Sequence, residues 1–113
     1  MSCIFCRIAA GEIPARVAYQ DDLVVAFHDL DPKAPTHVLV IPREHVASVD
    51  QMEARHGATL AAMVAAAQAV AREVGAGREG YRLVFNHGAN AGQSVEHVHM
   101  HVLAGRQLGW PPG

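Results

Sequence analysis

From His97 to Leu103 the chain reads His-Val-His-Met-His-Val-Leu, three histidines alternating with apolar residues. Strand side chains alternate between faces, so this run predicts a strand with His97, His99 and His101 on one side and Val98, Met100 and Val102 on the other. The apolar set requires a partner, most simply a helix packed on that face. The histidine set then lies opposite, three imidazoles in a row about 7 Å apart by strand rise. The plain alternative is a solvated face in a chain that holds eight histidines among 113 residues. Solvated faces ordinarily carry Thr, Lys, Glu or Arg, so three histidines in register point to chemistry, either catalytic or as a His-x-His metal site.

The rest of the chain supplies a frame for that strand. The length corresponds to one domain, residues 1–113, without repeats or linkers. A short helix or turn over residues 3–10 closes at Gly11. Arg16 to Gln20 and Leu23 to His28 predict two strands joined at Asp21-Asp22. His37 to Ile41 predicts a buried strand stopped by Pro42. Asp50 with Glu53 three positions on predicts the start of a short helix. Ala58 to Val74 predicts the main helix, with Leu60, Met63, Val64, Val70 and Val74 as its inward stripe and Gly75 as its stop. Its other faces are alanine-rich and nearly uncharged before Arg72, which predicts a second buried contact, most simply another subunit. Tyr81 to Asn86 and Val95 to Leu103 predict the last two strands, followed by an irregular tail from Gly105. The expectation is α+β, a mainly antiparallel five-stranded sheet with one long helix and one or two short ones.

Charge and leader pattern narrow the class. A net charge of −2 argues against broad binding to nucleic acid or an anionic membrane. Met1 to Arg7 lacks a basic region followed by an apolar stretch, and no run is long enough to span a bilayer, so a cytoplasmic protein is expected. Cys3 and Cys6 form a C-x-x-C pair, which in such a chain points to metal or redox chemistry more than to a structural disulfide. No strand pattern leads into Cys3, which weakens a thioredoxin-like reading. Both cysteines could equally be small buried apolar residues. Between strand signals, Asn86 to Ser94 forms a loop whose Gly88 and Gly92 permit positive φ, so successive backbone N–H groups there could converge on an anion.

The run at residues 97–103 resembles the His-φ-His-φ-His-φ-φ signature of the histidine-triad superfamily. The similarity continues in order through Cys3-Ile4-Phe5-Cys6, Gly11 to Ala15, Ala26 to Leu30, Ala34 to His37, Ile41 to His45 and Gly92 to Ser94. The ending, Gly105-Arg106 and Trp110 to Gly113, is similar to the Hint branch, the purine nucleoside phosphoramidases. The resemblance implies that His99 attacks the α-phosphorus of a purine nucleotide and carries a nucleotidyl intermediate that water hydrolyses. It implies that the His97 carbonyl fixes the His99 tautomer, and that His101 and Ser94 contact the phosphate and help protonate the leaving amine. Asp29 would hold the ribose, Leu30 and Phe5 would line the base pocket, and Asn86, Gly92, Gln93 and Val95 would complete the site, with His28 nearby.

The chemistry agrees with that division. A neutral imidazole is available as a nucleophile near neutral pH, and P–N cleavage needs an acid at the departing nitrogen. No metal is required for it. By the same resemblance, Cys3, Cys6, His45 and His97 form a Cys₂His₂ set suited to structural zinc, and subunits pair as a homodimer. Glu96 departs from the aromatic residue expected in much of the Hint branch. His56 and His87 are expected to face solvent, and His37 to make a structural hydrogen bond. The competing functions are diadenosine polyphosphate hydrolysis, as in the Fhit branch, and a nucleotide-binding or interaction module with little turnover. The Hint-like tail and Ser94 favour P–N hydrolysis.

Overall fold

Residues 24–27 and 38–42 are apolar on both of their faces, and they take the centre of the sheet, where both faces are covered. The structure, a computed structural model, describes residues 3–113; Met1 and Ser2, the start of the segment read for a leader, lie outside it. In chain order the elements are α1 (Ile4–Ala9), β1 (Val17–Gln20), β2 (Val24–His28), β3 (Thr36–Pro42), α2 (Gly57–Glu73), β4 (Tyr81–Phe85) and β5 (Met100–Ala104). The five strands form one antiparallel sheet in the order β1-β2-β3-β5-β4. This is the α+β architecture expected.

Strand alternation sorts the core into two layers. Val24, Ala26, Val38, Val40, Met100 and Val102 meet α2 through Met63, Ala66, Ala67 and Val70. On the opposite face Val25, Phe27, Leu39 and Ile41 gather under Phe5 of α1. His101 is registered against Leu39 on β3, so it too looks toward α1. Three-layer burial of this small sheet therefore leaves one histidine-bearing patch beside a short helix.

Four expectations need correction. The inward stripe of α2 is Thr59, Met63, Ala66, Ala67, Val70 and Ala71, whereas Val64 and Val74 are exposed. Alanine lets the helix backbone approach the sheet closely, so the larger residues were a misleading guide to its face. Asp50 starts no α-helix; residues 49–51 and 54–56 are separate 3₁₀ turns, and the capping box is Glu53 with His56. That box buries His56: its Nδ1 accepts from the Glu53 N–H at 2.9 Å and its Nε2 lies 3.2 Å from Glu44 Oε2. His87 is exposed, as expected.

The last strand begins at Met100 rather than Val95. Its partner β3 runs into Pro42, which has no N–H to offer a ladder. The Val98 N–H turns instead to the Val46 carbonyl at 2.7 Å. Glu96 is exposed in the bend before it, so it disturbs no packing.

Candidate active site

The three triad histidines do share one face, although only His101 belongs to a strand. His99 and His101 lie with ring centroids 5.2 Å apart, closer than the strand repeat because the rings lean together. The Phe5 ring meets His99 edge-on at 5.2 Å and His97 at 5.9 Å.

Hydrogen bonds assign the tautomers. His99 Nδ1–H donates to the His97 carbonyl at 2.8 Å, which leaves the Nε2 lone pair of His99 uncommitted. The Lys33 N–H donates to His37 Nδ1 at 3.0 Å, so the proton of His37 sits on Nε2. That N–H reaches His101 Nδ1 at 2.9 Å and leaves His101 with its own proton on Nε2. Asp29 Oδ2 is 3.6 Å from His37 Nε2, behind this pair. Burial, helped by the neighbouring His99 and His37 rings, pushes the His101 imidazole down to about 4. His101 is therefore neutral at pH 7 and presents an N–H, not a charge.

Beside the triad, a cavity of about 240 Å³ opens between α1 and the ends of β2 and β3. Ile4, Phe5, Ile8, Phe27 and Leu39 make its walls, Leu30 stands at its mouth fully exposed, and His28 and Asp29 border it. Asp29 is oriented by the Asp31 N–H, which donates to its Oδ1 at 2.8 Å.

The 86–94 loop is braced from within. Gln93 Nε2 donates to the carbonyls of Ala47 and Val95 at 2.8 and 3.0 Å, and its Oε1 accepts from the Gly88 N–H at 3.1 Å. The backbone N–H groups of Gly92 and Gln93 donate to Ala89 and Gly88. These three amides are committed within the loop, and Gly88 and Gly92, both at φ +78, hold its turn. Ser94 is exposed just past this loop, Val95 packs against the Phe5 cluster, and Asn86 is half-buried at the end of β4.

A second cluster adjoins the first. His97 Nδ1 lies 3.4 Å from Cys3 Sγ, 3.5 Å from Cys6 Sγ and 3.2 Å from His45 Nδ1, and Cys6 Sγ lies 3.3 Å from His45 Nδ1. Tetrahedral zinc with ordinary bond lengths needs N–N edges of about 3.3 Å and S–N edges of about 3.6 Å. The donor set fits. His97 Nε2–H donates to the Pro42 carbonyl at 2.8 Å, which turns the Nδ1 lone pair into the cluster in the manner of a metal-ligating histidine.

A profile of the HIT domain matches residues 10–108. The chain belongs to the HIT family. Among its relatives, the purine nucleoside phosphoramidase of Escherichia coli (strain K12) is 45% identical over 106 residues, 94% of this chain and 89% of that one. The 14 kDa zinc-binding protein of Zea mays is 44% identical over 112 residues, 97% of this chain and 87% of that one. A HIT family hydrolase from Legionella pneumophila Philadelphia 1, known as a crystal structure, is 46% identical with a TM-score of 0.96, covering 99% of this chain and 100% of that one. Cys3 and Cys6 lie ahead of the matched HIT span. Among the described residues no helix is long and apolar enough to cross a membrane.

Within this HIT site, sequence reasoning missed the place of His37. The expected structural hydrogen bond exists, but the ring on its other side contacts His101. On paired strands, His37 and His101 are diagonal neighbours, since His37 is registered against Leu103. The signal was available once β3 and β5 were paired.

Proposed function

We propose that this HIT chain hydrolyses the P–N bond of purine nucleoside 5′-monophosphoramidates through a nucleotidyl intermediate on His99. The observation that carries the reading is the pair of opposite tautomers side by side: a free lone pair on His99 Nε2 and an N–H on His101 Nε2. His99 Nε2 attacks the α-phosphorus, and the positive charge its ring acquires is stabilised at Nδ1–H by the His97 carbonyl. His101 donates to the phosphoryl oxygens, where charge builds up, and a preformed donor needs no reorganisation. Ser94 and neutral His101 relay a proton from water to the departing nitrogen, each giving up its own proton and taking one back, so that the nitrogen leaves as an amine. Water then attacks phosphorus from the freed side, releasing the nucleoside monophosphate and His99. Asp29 holds the ribose hydroxyls, with His28 and Leu30 at the cavity mouth and Phe5 against the base. Asn86, Gly92, Gln93 and Val95 shape the phosphate end. Steady-state hydrolysis of adenosine 5′-phosphoramidate, with a search for adenylated protein by mass spectrometry, tests the reading. A strong preference for a dinucleoside polyphosphate over the amidate overturns it.

The cavity is lined mainly by apolar residues, with Arg16, His28 and Asp29 as its polar members, so the base is held chiefly by packing. Adenosine and guanosine amidates are therefore expected to have kcat/KM values within about tenfold, since packing differences alone discriminate weakly. Competition kinetics with the two amidates checks this.

Zinc in the Cys3, Cys6, His45 and His97 set is structural in this reading, and no catalytic step uses it. The cytoplasm suits such a site, because thiols remain reduced there. Protein purified without chelator should hold about one zinc per chain, and a content below roughly a tenth of that counts against the site.

The chain acts as a homodimer. The outer face of α2 carries Ala58, Ala61, Val64 and Ala65 exposed, and β4 is an open sheet edge with Leu83 exposed. The alanine-rich helix face and the open strand edge are the surfaces a second copy covers. Light scattering at micromolar concentration should give twice the 12.1 kDa chain mass, and the single-chain mass would exclude the pairing.

A further inference from the structure

We propose that the Cys3–Cys6–His45–His97 cluster positions the nucleophile, fixing through His97 and Phe5 both the orientation of His99 and one wall of the nucleotide cavity. The inference rests on the reading of His99 as the nucleophile and of the cluster as a metal site.

The peptide group joining His97 to Val98 is the pivot. Its carbonyl receives the His99 Nδ1–H at 2.8 Å, and its N–H donates to the Val46 carbonyl at 2.7 Å. Neither side of this peptide belongs to the sheet ladder, because β5 begins only at Met100. Residues 43–48, which hold Val46, are likewise outside regular structure. Gln93, donating to the Ala47 and Val95 carbonyls, and His97, donating to Pro42, link the two segments, and the cluster adds the tie that passes through the side chains of His45 and His97. His97 enters it directly, and Val46 follows His45, its ligand on the other segment. The plane that orients the His99 ring therefore hangs between two ligand residues.

The third anchor is α1. A helix of six residues has little stability of its own. Cys3 stands at its N-cap, with Sγ accepting from the Cys6 N–H at 3.4 Å, and Cys6 lies in its first turn. Phe5 lies between the two cysteines and packs on His97, His99 and Phe27, with centroids 5.9, 5.2 and 5.6 Å away. Holding both cysteines therefore also holds the ring that covers the nucleophile and walls the cavity. Without a cation, only weak thiol hydrogen bonds would keep four donor atoms this close. A staple that merely stabilised the fold would not need to pass through the one carbonyl that sets the nucleophile's tautomer.

His45 is the ligand to change, being exposed and contacting neither cavity nor triad nucleophile. His45→Ala removes a ligand, and His45→Cys keeps a tetrahedral four-donor set. Both are assayed well below their Tm, with folding checked by circular dichroism. For His45→Ala we expect kcat to fall about tenfold to a hundredfold, the range that a small misplacement of reacting groups costs. AMP should bind several-fold more weakly, and the His99 Nδ1–H signal in proton NMR should broaden or vanish. His45→Cys should recover most of all three losses. A folded His45→Ala protein with wild-type kcat, AMP affinity and His99 signal, and only a lower Tm, would overturn the proposal. Should His45→Ala not fold, cobalt-substituted wild type gives the answer: coupling predicts a change in the cobalt absorption bands on saturation with AMP, and an unaltered spectrum overturns it. Failure of the underlying reading is distinguishable, since it would appear in wild type as absent metal or absent amidate turnover.

Discussion

Replacing His99 by alanine is expected to abolish amidate turnover, to below about a thousandth of the wild-type kcat, because the proposed covalent route is lost outright. Neither neighbour can take over. His97 directs Nδ1 into the cysteine cluster and donates from Nε2 to Pro42, and His101 accepts at Nδ1 from His37 and carries its proton on Nε2. Only the middle imidazole keeps a free lone pair. AMP binding survives the change, since the cavity walls and Asp29 are untouched. Steady-state kinetics paired with calorimetric AMP titration reads both effects, and mass spectrometry reads the loss of adenylated protein. Turnover above a few per cent of wild type would assign the nucleophile elsewhere.

The second large effect is expected at His37, a positioning residue that acts through His101. Its ring is 5% exposed, so replacement by phenylalanine preserves volume while removing both nitrogens. The Lys33 N–H and His101 Nδ1 then lose their partner, and His101 is free to place its proton on either nitrogen. We expect kcat to fall about a hundredfold, the scale of a misdirected proton donor, with KM changed far less. Glutamine offers an acceptor toward Lys33 and a donor toward His101, so His37→Gln should retain a large share of kcat. The pH profile separates this role from simple packing. In wild type His101 stays neutral down to about pH 4. Losing the neighbouring His37 relieves part of what depresses it, so the acid limb in His37→Phe should move to higher pH. A phenylalanine variant with unchanged kcat and profile would reduce His37 to core packing.

Much of this arrangement was legible because periodicity reports faces. The alternation at residues 97–103 placed three histidines opposite Val98, Met100 and Val102, and those apolar residues are buried as expected. The apolar run at residues 37–41 announced a central strand, and the zinc set implied by the resemblance comes together in space. Periodicity says nothing about what lies across a neighbouring strand, and there the reading fell short. His37 and His101 are 64 positions apart, and their contact depends on the register of β3 with β5. His56 was assigned to solvent because nothing near it in sequence shows that Glu44 would reach it from another loop. The inward face of α2 was misjudged because alanine is too small to register in a pattern of large residues, although it sets the helix-to-sheet distance. Gln93, which the resemblance implies at the nucleotide site, has its side-chain amide engaged by three backbone partners that only the folded loop brings together.

The start of β5 at Met100 has a mechanical consequence. His101 sits inside a ladder shared with β3 and β4, as firmly seated as any residue of the sheet. His99 lies one residue before that ladder and two after His97, so it spans the gap between two anchorages like the free section of a bridge. The proposed displacement, with His99 as nucleophile and His101 as donor, makes opposite demands on these rings. The donor must stay fixed while phosphorus travels toward one side and away again, and the nucleophile must follow that travel as its bond forms and breaks. Seating one histidine in the sheet and slinging the other just outside it gives stiffness to the first and a short, bounded stroke to the second.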